Sequence, residues 1–185
     1  MNDSIQNELE DILQGAELLY DEQSVLTAIE QMAEDITSEL KNSNPLILSV
    51  MTGGMIPAGL LLGRLHFPLQ MDYIHATRYR GETEGNELVW LKKPEFDVKD
   101  RTVLVIDDIL DKGQTLRAII DELNAMQAAK VLTAVLVEKD TEREADIASA
   151  NFTGLTVPDR YVFGCGMDYK TWLRNSLAIY AVKVL

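Results

Sequence analysis

Apolar residues recur at helical spacing along the opening of the chain. Val25, Ile29, Met32, Ile36 and Leu40 fall on one face, with Glu30, Glu34, Asp35 and Glu39 off it, which predicts an amphipathic helix. Asp21 stands where its carboxylate can cap the first turn. Ile5, Leu9, Ile12 and Leu13 predict a shorter helix before it, so that about the first 40 residues read as helical. Residues 42–45, NSNP, break the pattern.

From there the chain alternates. Residues 46–50, LILSV, form a short apolar run of the kind found in a fully buried parallel strand. The loop 51–59, MTGGMIPAG, leads into a Leu-rich helical segment ending near Leu65. Strands are predicted over 69–78, 88–92, 102–106, 131–137, 161–163 and 178–184, and Leu116, Ile119, Ile120, Leu123 and Met126 mark a further amphipathic helix. Strands alternating with helices predict a doubly wound α/β fold. No repeat, low-complexity tract or Gly/Ser/Pro-rich linker divides it, so residues 1–185 are expected to form a single domain. Two segments are too polar for a core. Residues 79–87, YRGETEGNE, predict a mobile flap between two strands, and 138–146, EKDTEREAD, a solvated connection.

Composition narrows the picture. With 46% hydrophobic and 25% charged residues in 185, the chain is an ordinary globular one, long enough for a core without staples. Its one cysteine, Cys165, permits no internal disulfide. The opening MNDSIQNELEDILQ has neither a basic start nor an apolar h-region, and no run approaches the ~20 apolar residues of a membrane span. A soluble cytoplasmic protein is expected. The 30 acidic and 17 basic residues give a formal net charge of −13, and no Lys/Arg-rich run offsets it. Such a field disfavours nucleic acid. An anionic small substrate would need local help from metal ions or backbone amides.

The chemistry concentrates in residues 103–116, VLVIDDILDKGQTL. The apolar VLVI drives a strand into the core. Asp107 and Asp108 are expected at its end, with Asp111, Lys112, Gly113, Gln114 and Thr115 on the turn into the next helix. In an open α/β sheet, ligands bind beyond the carboxyl ends of the strands. Amides opening onto a helix N-terminus form an anion nest suited to phosphate. Gly113 lets the backbone approach or take positive φ, and Thr115 adds a hydroxyl. The adjacent pair Asp107–Asp108 can accept from a ribose diol or hold water bound to Mg²⁺, and both roles suit an anionic sugar phosphate. The helix macrodipole alone accounts for Asp111 but not for the pair.

This stretch closely resembles the phosphoribosyl-pyrophosphate (PRPP) motif of type I phosphoribosyltransferases. Three further segments resemble the hypoxanthine-guanine branch of that family, over roughly residues 18–184. Residues 50–54, VMTGG, are similar to its diphosphate-binding loop, in which a non-proline cis peptide turns amides toward the ligand. The corresponding bond is Met51–Thr52, with Gly53 and Gly54 following. Thr52 stands where some relatives carry a basic residue, leaving the diphosphate more dependent on Mg²⁺. Lys139 matches the lysine that donates to the purine 6-oxo group; an ammonium only donates, so it disfavours the 6-amino group of adenine. Residues 158–174, PDRYVFGCGMDYKTWLR, match the family's late signature. By that resemblance Tyr161 stacks on the base and Val162 offers it a backbone carbonyl. Met167 packs beneath the ring, Asp168 lies near a second Mg²⁺ and the 2-position, and Arg174 contacts the diphosphate.

Arg78-Tyr79 stands where relatives carry a Ser-Tyr pair at the start of the closing loop, and Arg78 can supplement the diphosphate contacts. Asp107 replaces a glutamate common among relatives. His66 and His75 are not spaced as metal ligands. The resemblance implies a central, mostly parallel sheet flanked by helices, with a small hood and a flexible flap. It implies Mg²⁺-dependent transfer of phosphoribose from PRPP to hypoxanthine or guanine, giving IMP or GMP. Asp111 would take the N7 proton or hydrogen-bond it, Asp107, Asp108 and Asp168 would serve the metal, and the enzyme would work as a homodimer or homotetramer. Two alternatives stay open: a xanthine-preferring enzyme, and a PRPP-binding nucleic-acid regulator on the same fold.

Overall fold

A computed structural model describes residues 3–78, 88–141, 147 and 149–183. The chain opens with helix α1 (Asp3–Gly15), strand β1 (Glu17–Tyr20) and helix α2 (Glu22–Leu40). Both expected helices are present, and the strand between them corrects the reading of the whole stretch as helical. β1 is four residues long and pairs antiparallel with a strand near the other end of the chain, so neither local period nor neighbouring sequence marks it. The cap is where the spacing predicts it: Asp21 adopts extended backbone and its Oδ1 accepts from the Ser24 amide at 2.8 Å. α2 buries Val25, Ile29, Met32, Ala33, Ile36 and Leu40 along one stripe, each large side chain contributing about 1.5–3 kcal/mol by leaving water.

Next come β2 (Leu46–Val50), α3 (Met55–Leu62), β3 (Gln70–Arg78), β4 (Leu88–Lys92), β5 (Thr102–Leu110), α4 (Gln114–Ala125), β6 (Lys130–Asp140), β7 (Phe152–Pro158), β8 (Val162–Phe163) and β9 (Ile179–Ala181). Six of these strands form the central sheet in the order β4-β3-β2-β5-β6-β7. All its neighbours are parallel except β3 and β4. Side-chain alternation divides the core between the two faces. Leu104, Ile106, Ala134 and Leu136 pack with the stripe of α2 and with Ala58 and Leu61 of α3. Val103, Val105 and Val135 pack on the other side with Leu116, Ile119 and Leu123 of α4. This is the mostly parallel α/β architecture expected. β7 went unpredicted because FTGLTVP carries a glycine and a proline. The glycine is required, since a Cβ on Gly154 would lie 2.8 Å from both the Leu136 carbonyl and the Met32 sulfur.

A second, three-stranded sheet, β1-β9-β8, forms a small hood. The strands expected over 161–163 and 178–184 shrink to β8 and β9, which leaves Tyr161 just ahead of β8. Residues 79–87, including Tyr79 and the expected flap, lie outside the described residues. Among those described, no helix is long and apolar enough to cross a membrane.

Candidate active site

The site begins where β5 outruns a neighbour. β5 pairs with β2 only as far as Ile106, yet it continues beside β6 to Leu110. Asp107 and Asp108 are therefore inside the strand rather than after it, a correction to the expected boundary. They still lie beyond the carboxyl end of β2, where an α/β sheet opens a crevice. Asp108 is 8% exposed and Arg174 is its ion-pair partner at 3.7 Å. Burial, then the charge of Asp108, holds the Asp107 carboxyl well above the usual carboxylate range. Burial also raises Asp108, partly offset by its hydrogen bond with Asp107 and by Arg174.

After β5 the chain turns through Asp111 and Lys112 to Gly113, whose φ of 76° is in the left-handed region. Gly113 is the N-cap of α4 and has no side chain to fill the helix mouth, so the amides of Gln114 and Thr115 open a turn shaped for an anion. Across from it, the Met51–Thr52 peptide is cis. A Cβ on Gly53 would overlap the Asp108 carboxylate, and one on Gly54 would lie 2.6 Å from the Ile106 carbonyl. Gly166, with φ of 104°, packs on Gly53 so closely that a Cβ would overlap the Gly53 carbonyl. Glycines thus bring the 51–54 loop, β5 and the hood turn into direct contact.

Beside this corner is a cavity of about 200 Å³ lined by Asp108, Ile109, Asp111, Lys139, Tyr161, Val162, Met167 and Asp168. The size suits a single heterocycle better than a drug-sized ligand. Lys139 comes from the end of β6, beyond the strand boundary expected at 137. Its ammonium donates to Asp111 Oδ2 at 3.3 Å and to Asp159 Oδ1 at 3.4 Å. Val162 and Met167 are buried, while Tyr161 is exposed at the cavity mouth. Arg174 ties the cavity to the aspartate pair: it bonds Asp168 Oδ1 and the Gly166 carbonyl, both at 2.5 Å, besides facing Asp108. A larger, open depression of about 620 Å³ lies between α2 and the end of α3, lined by Glu30, Arg64 and His66 among others. It contains none of these groups.

The expected residues thus fall into two adjoining corners, with Asp107, Asp108 and 111–115 in one and Asp111, Lys139, Tyr161, Val162, Met167 and Asp168 in the other. Asp168 pairs with Arg174, and among the described residues no three His, Cys, Asp or Glu side chains form a ready metal cage. Mg²⁺ fits the aspartate pair nonetheless. Arg174 only partly offsets the two adjacent carboxylates, whose pKa values stay raised, and this ion commonly takes one or two carboxylates with substrate phosphates and water. Arg78 ends β3; Tyr79 is outside the described residues. Cys165 is buried, its thiol pushed up to about 12 by burial and then by Asp108, which makes it a poor nucleophile. Sequence reasoning missed Asp159 and Gly166. The first was visible only as part of the PDR run, the second only as a glycine beside Cys165.

A mostly parallel sheet with a hood thus sets a turn shaped for an anion beside a cavity the size of a single heterocycle. Known proteins agree. The phosphoribosyl transferase domain family matches residues 15–171. A hypoxanthine-guanine-xanthine phosphoribosyltransferase of Tritrichomonas foetus is 29% identical over 166 residues, covering 90% of this chain and 91% of that protein. The hypoxanthine-guanine phosphoribosyltransferase of Bacillus subtilis is 30% identical over 159 residues, 85% and 88% of the two chains. A solved hypoxanthine phosphoribosyltransferase from Staphylococcus aureus superposes with a TM-score of 0.86 at 27% identity, covering 99% of this chain and 96% of that one. The chain belongs to the phosphoribosyl transferase family, among its hypoxanthine-guanine phosphoribosyltransferases.

Proposed function

We propose that the protein transfers the 5-phosphoribosyl group of PRPP to hypoxanthine or guanine, forming IMP or GMP and diphosphate, as a Mg²⁺-dependent purine-salvage enzyme of the cytoplasm. The observation that carries this reading is the pairing of Lys139 with Asp111 across 3.3 Å at one end of the cavity. O6 and N7 are neighbouring positions on one purine edge. A donor-only ammonium beside a carboxylate complements that edge in a 6-oxopurine: Lys139 donates to O6 and Asp111 accepts from N7–H. Adenine would set its 6-amino donor against the ammonium.

In the reaction the C1′–O bond to diphosphate breaks as N9 bonds to C1′, and the N7 proton passes to Asp111. Tyr161 covers the ring, Met167 supports it from beneath, and the Val162 carbonyl and Asp168 address its 2-position side. Asp107 and Asp108 receive the ribose diol, and Lys112, Gly113, Gln114 and Thr115 receive the 5-phosphate. The cis peptide at Met51–Thr52, the amides of Gly53 and Gly54, and Arg174 face the diphosphate, with Arg78 and Tyr79 completing the closing loop. When bound, Mg²⁺ would supply the positive charge that lets diphosphate leave, and Asp107, Asp108 and Asp168 would hold it.

Association with a second copy fits an apolar cleft of about 300 Å³ between α3 and β3, rimmed by the exposed Met55, Met71 and Tyr73; light scattering should return a dimer or tetramer mass. A nucleic-acid regulator is disfavoured by the net charge of −13. The direct test incubates the protein with PRPP, Mg²⁺ and hypoxanthine or guanine and identifies products by chromatography. IMP or GMP with equimolar diphosphate is expected, and absence of both nucleotides removes the reading.

A further inference from the structure

Helix α1 precedes all but one residue of the segment that the family pattern matches, yet it bonds to the turn directly after the cavity-lining Asp168. Glu8 Oε1 accepts from the Tyr169 hydroxyl at 2.7 Å and from the Lys170 ammonium at 2.5 Å. Among the described residues, these are the side-chain hydrogen bonds that join α1 to the rest of the molecule. Tyr169 and Lys170 are also what Tyr161 leans on. The Tyr169 ring meets it edge-on, with centroids 5.7 Å apart and planes at 71°, and the Lys170 amide donates to the Tyr161 hydroxyl at 3.4 Å.

Tyr161 needs such support because it is 52% exposed and precedes β8 rather than belonging to it. The turn that provides it is not self-sufficient. Lys170, Thr171 and Leu173 have φ of 48°, 76° and 65°, a left-handed region that non-glycine residues keep only when their surroundings enforce it. The Thr171 amide is held by Asp168, and Tyr169 pairs with Trp172 through the backbone. The side chains of Tyr169 and Lys170 find their anchor on α1. The small sheet fixes the helix in reach: β1 follows α1 directly and pairs with β9, which pairs with β8.

We propose that Glu8 is a positioning residue for the base site: through Tyr169 and Lys170 it holds the ring of Tyr161 in place for the incoming purine. This rests on the reading of the cavity as a purine site. Glu8 touches no reacting atom, so its loss weakens base binding and leaves chemistry alone.

The test uses the full chain with Glu8→Ala, Glu8→Gln and Lys170→Ala, measuring kcat, both KM values, thermal stability and amide exchange. Glu8→Ala should raise KM for hypoxanthine about three- to fivefold, with kcat and KM for PRPP within about twofold. Exchange across 161–173 should accelerate. Glu8→Gln keeps an acceptor for the Tyr169 hydroxyl and should fall between Glu8→Ala and wild type. Adding Lys170→Ala to Glu8→Ala should cost less than the two changes summed. An unchanged KM for hypoxanthine, or a fall in kcat and stability with both KM values rising alike, overturns the assignment. If the wild type itself turns over no purine, the functional reading fails separately. Exchange then decides the clamp, and unchanged protection over 161–173 overturns it.

Discussion

The two corners of the site are built in opposite ways. The phosphate corner is made of sheet: Asp107 and Asp108 ride on β5, whose VLVI segment is fully buried, and Gly113 turns directly into α4. The base corner is made of an irregular turn over a two-residue strand, held by Arg174, Asp168, Tyr169 and a helix from the other end of the chain. One is shaped by packing and stores electrostatic cost in its carboxylates. The other depends on a few ion pairs and hydrogen bonds. Substitutions in the first corner should change reaction and charge, whereas those in the second should change which base binds and how well.

The largest effect is expected where the corners share a residue. Asp111→Asn should lower kcat by about 10²–10⁴ while PRPP binding, followed by calorimetry, stays nearly unchanged. Equal turnover would take the proton-accepting role from Asp111. Lys139→Gln should reduce kcat/KM for hypoxanthine about 30–100-fold and narrow the preference over adenine, since an amide offers acceptor as well as donor. A variant that loses activity toward every base equally would mean that Lys139 does not read the 6-position.

Gly166→Ala tests the contact between the corners. Its Cβ would overlap the Gly53 carbonyl and its φ is 104°, so the melting temperature should fall by about 5–10 °C. The smallest effect concerns charge. A carboxyl whose pKa rises on folding holds its proton more tightly in the folded chain, so ionising it costs stability. For Asp107 the cost is absent below the ordinary carboxylate pKa and complete above the raised one. Without PRPP or Mg²⁺, Asp107→Asn should therefore match wild type near pH 3.5 and melt a few degrees, about 2–4 °C, above it at pH 7. PRPP affinity should drop in the same variant. A melting difference independent of pH would remove the charge from the explanation.

The same contrast explains what could be read in the sequence. The phosphate corner is contiguous, so strand, aspartates, glycine and helix start follow within the fourteen residues 103–116, whose order mirrors their geometry. Only the end of the strand was misjudged, because Asp107 and Asp108 look like loop residues until β6 is known to run alongside as far as Asp140. The base corner is discontinuous. Lys139 and Tyr161 drew attention through family resemblance, whereas an isolated lysine or tyrosine carries no local signal. Asp159, Gly166 and Glu8 act through partners distant in sequence, and no periodicity marks them. β1 escaped for the same reason, being a short strand stabilised by pairing with a remote neighbour, whereas the glycine and proline of β7 hide it.

The most direct test of the account is a steady-state assay with PRPP and Mg²⁺ against hypoxanthine, guanine, xanthine, adenine and uracil, run on the wild type. Turnover of hypoxanthine or guanine, with adenine and uracil rejected, is the predicted result. Turnover of adenine or uracil with neither hypoxanthine nor guanine accepted would contradict it.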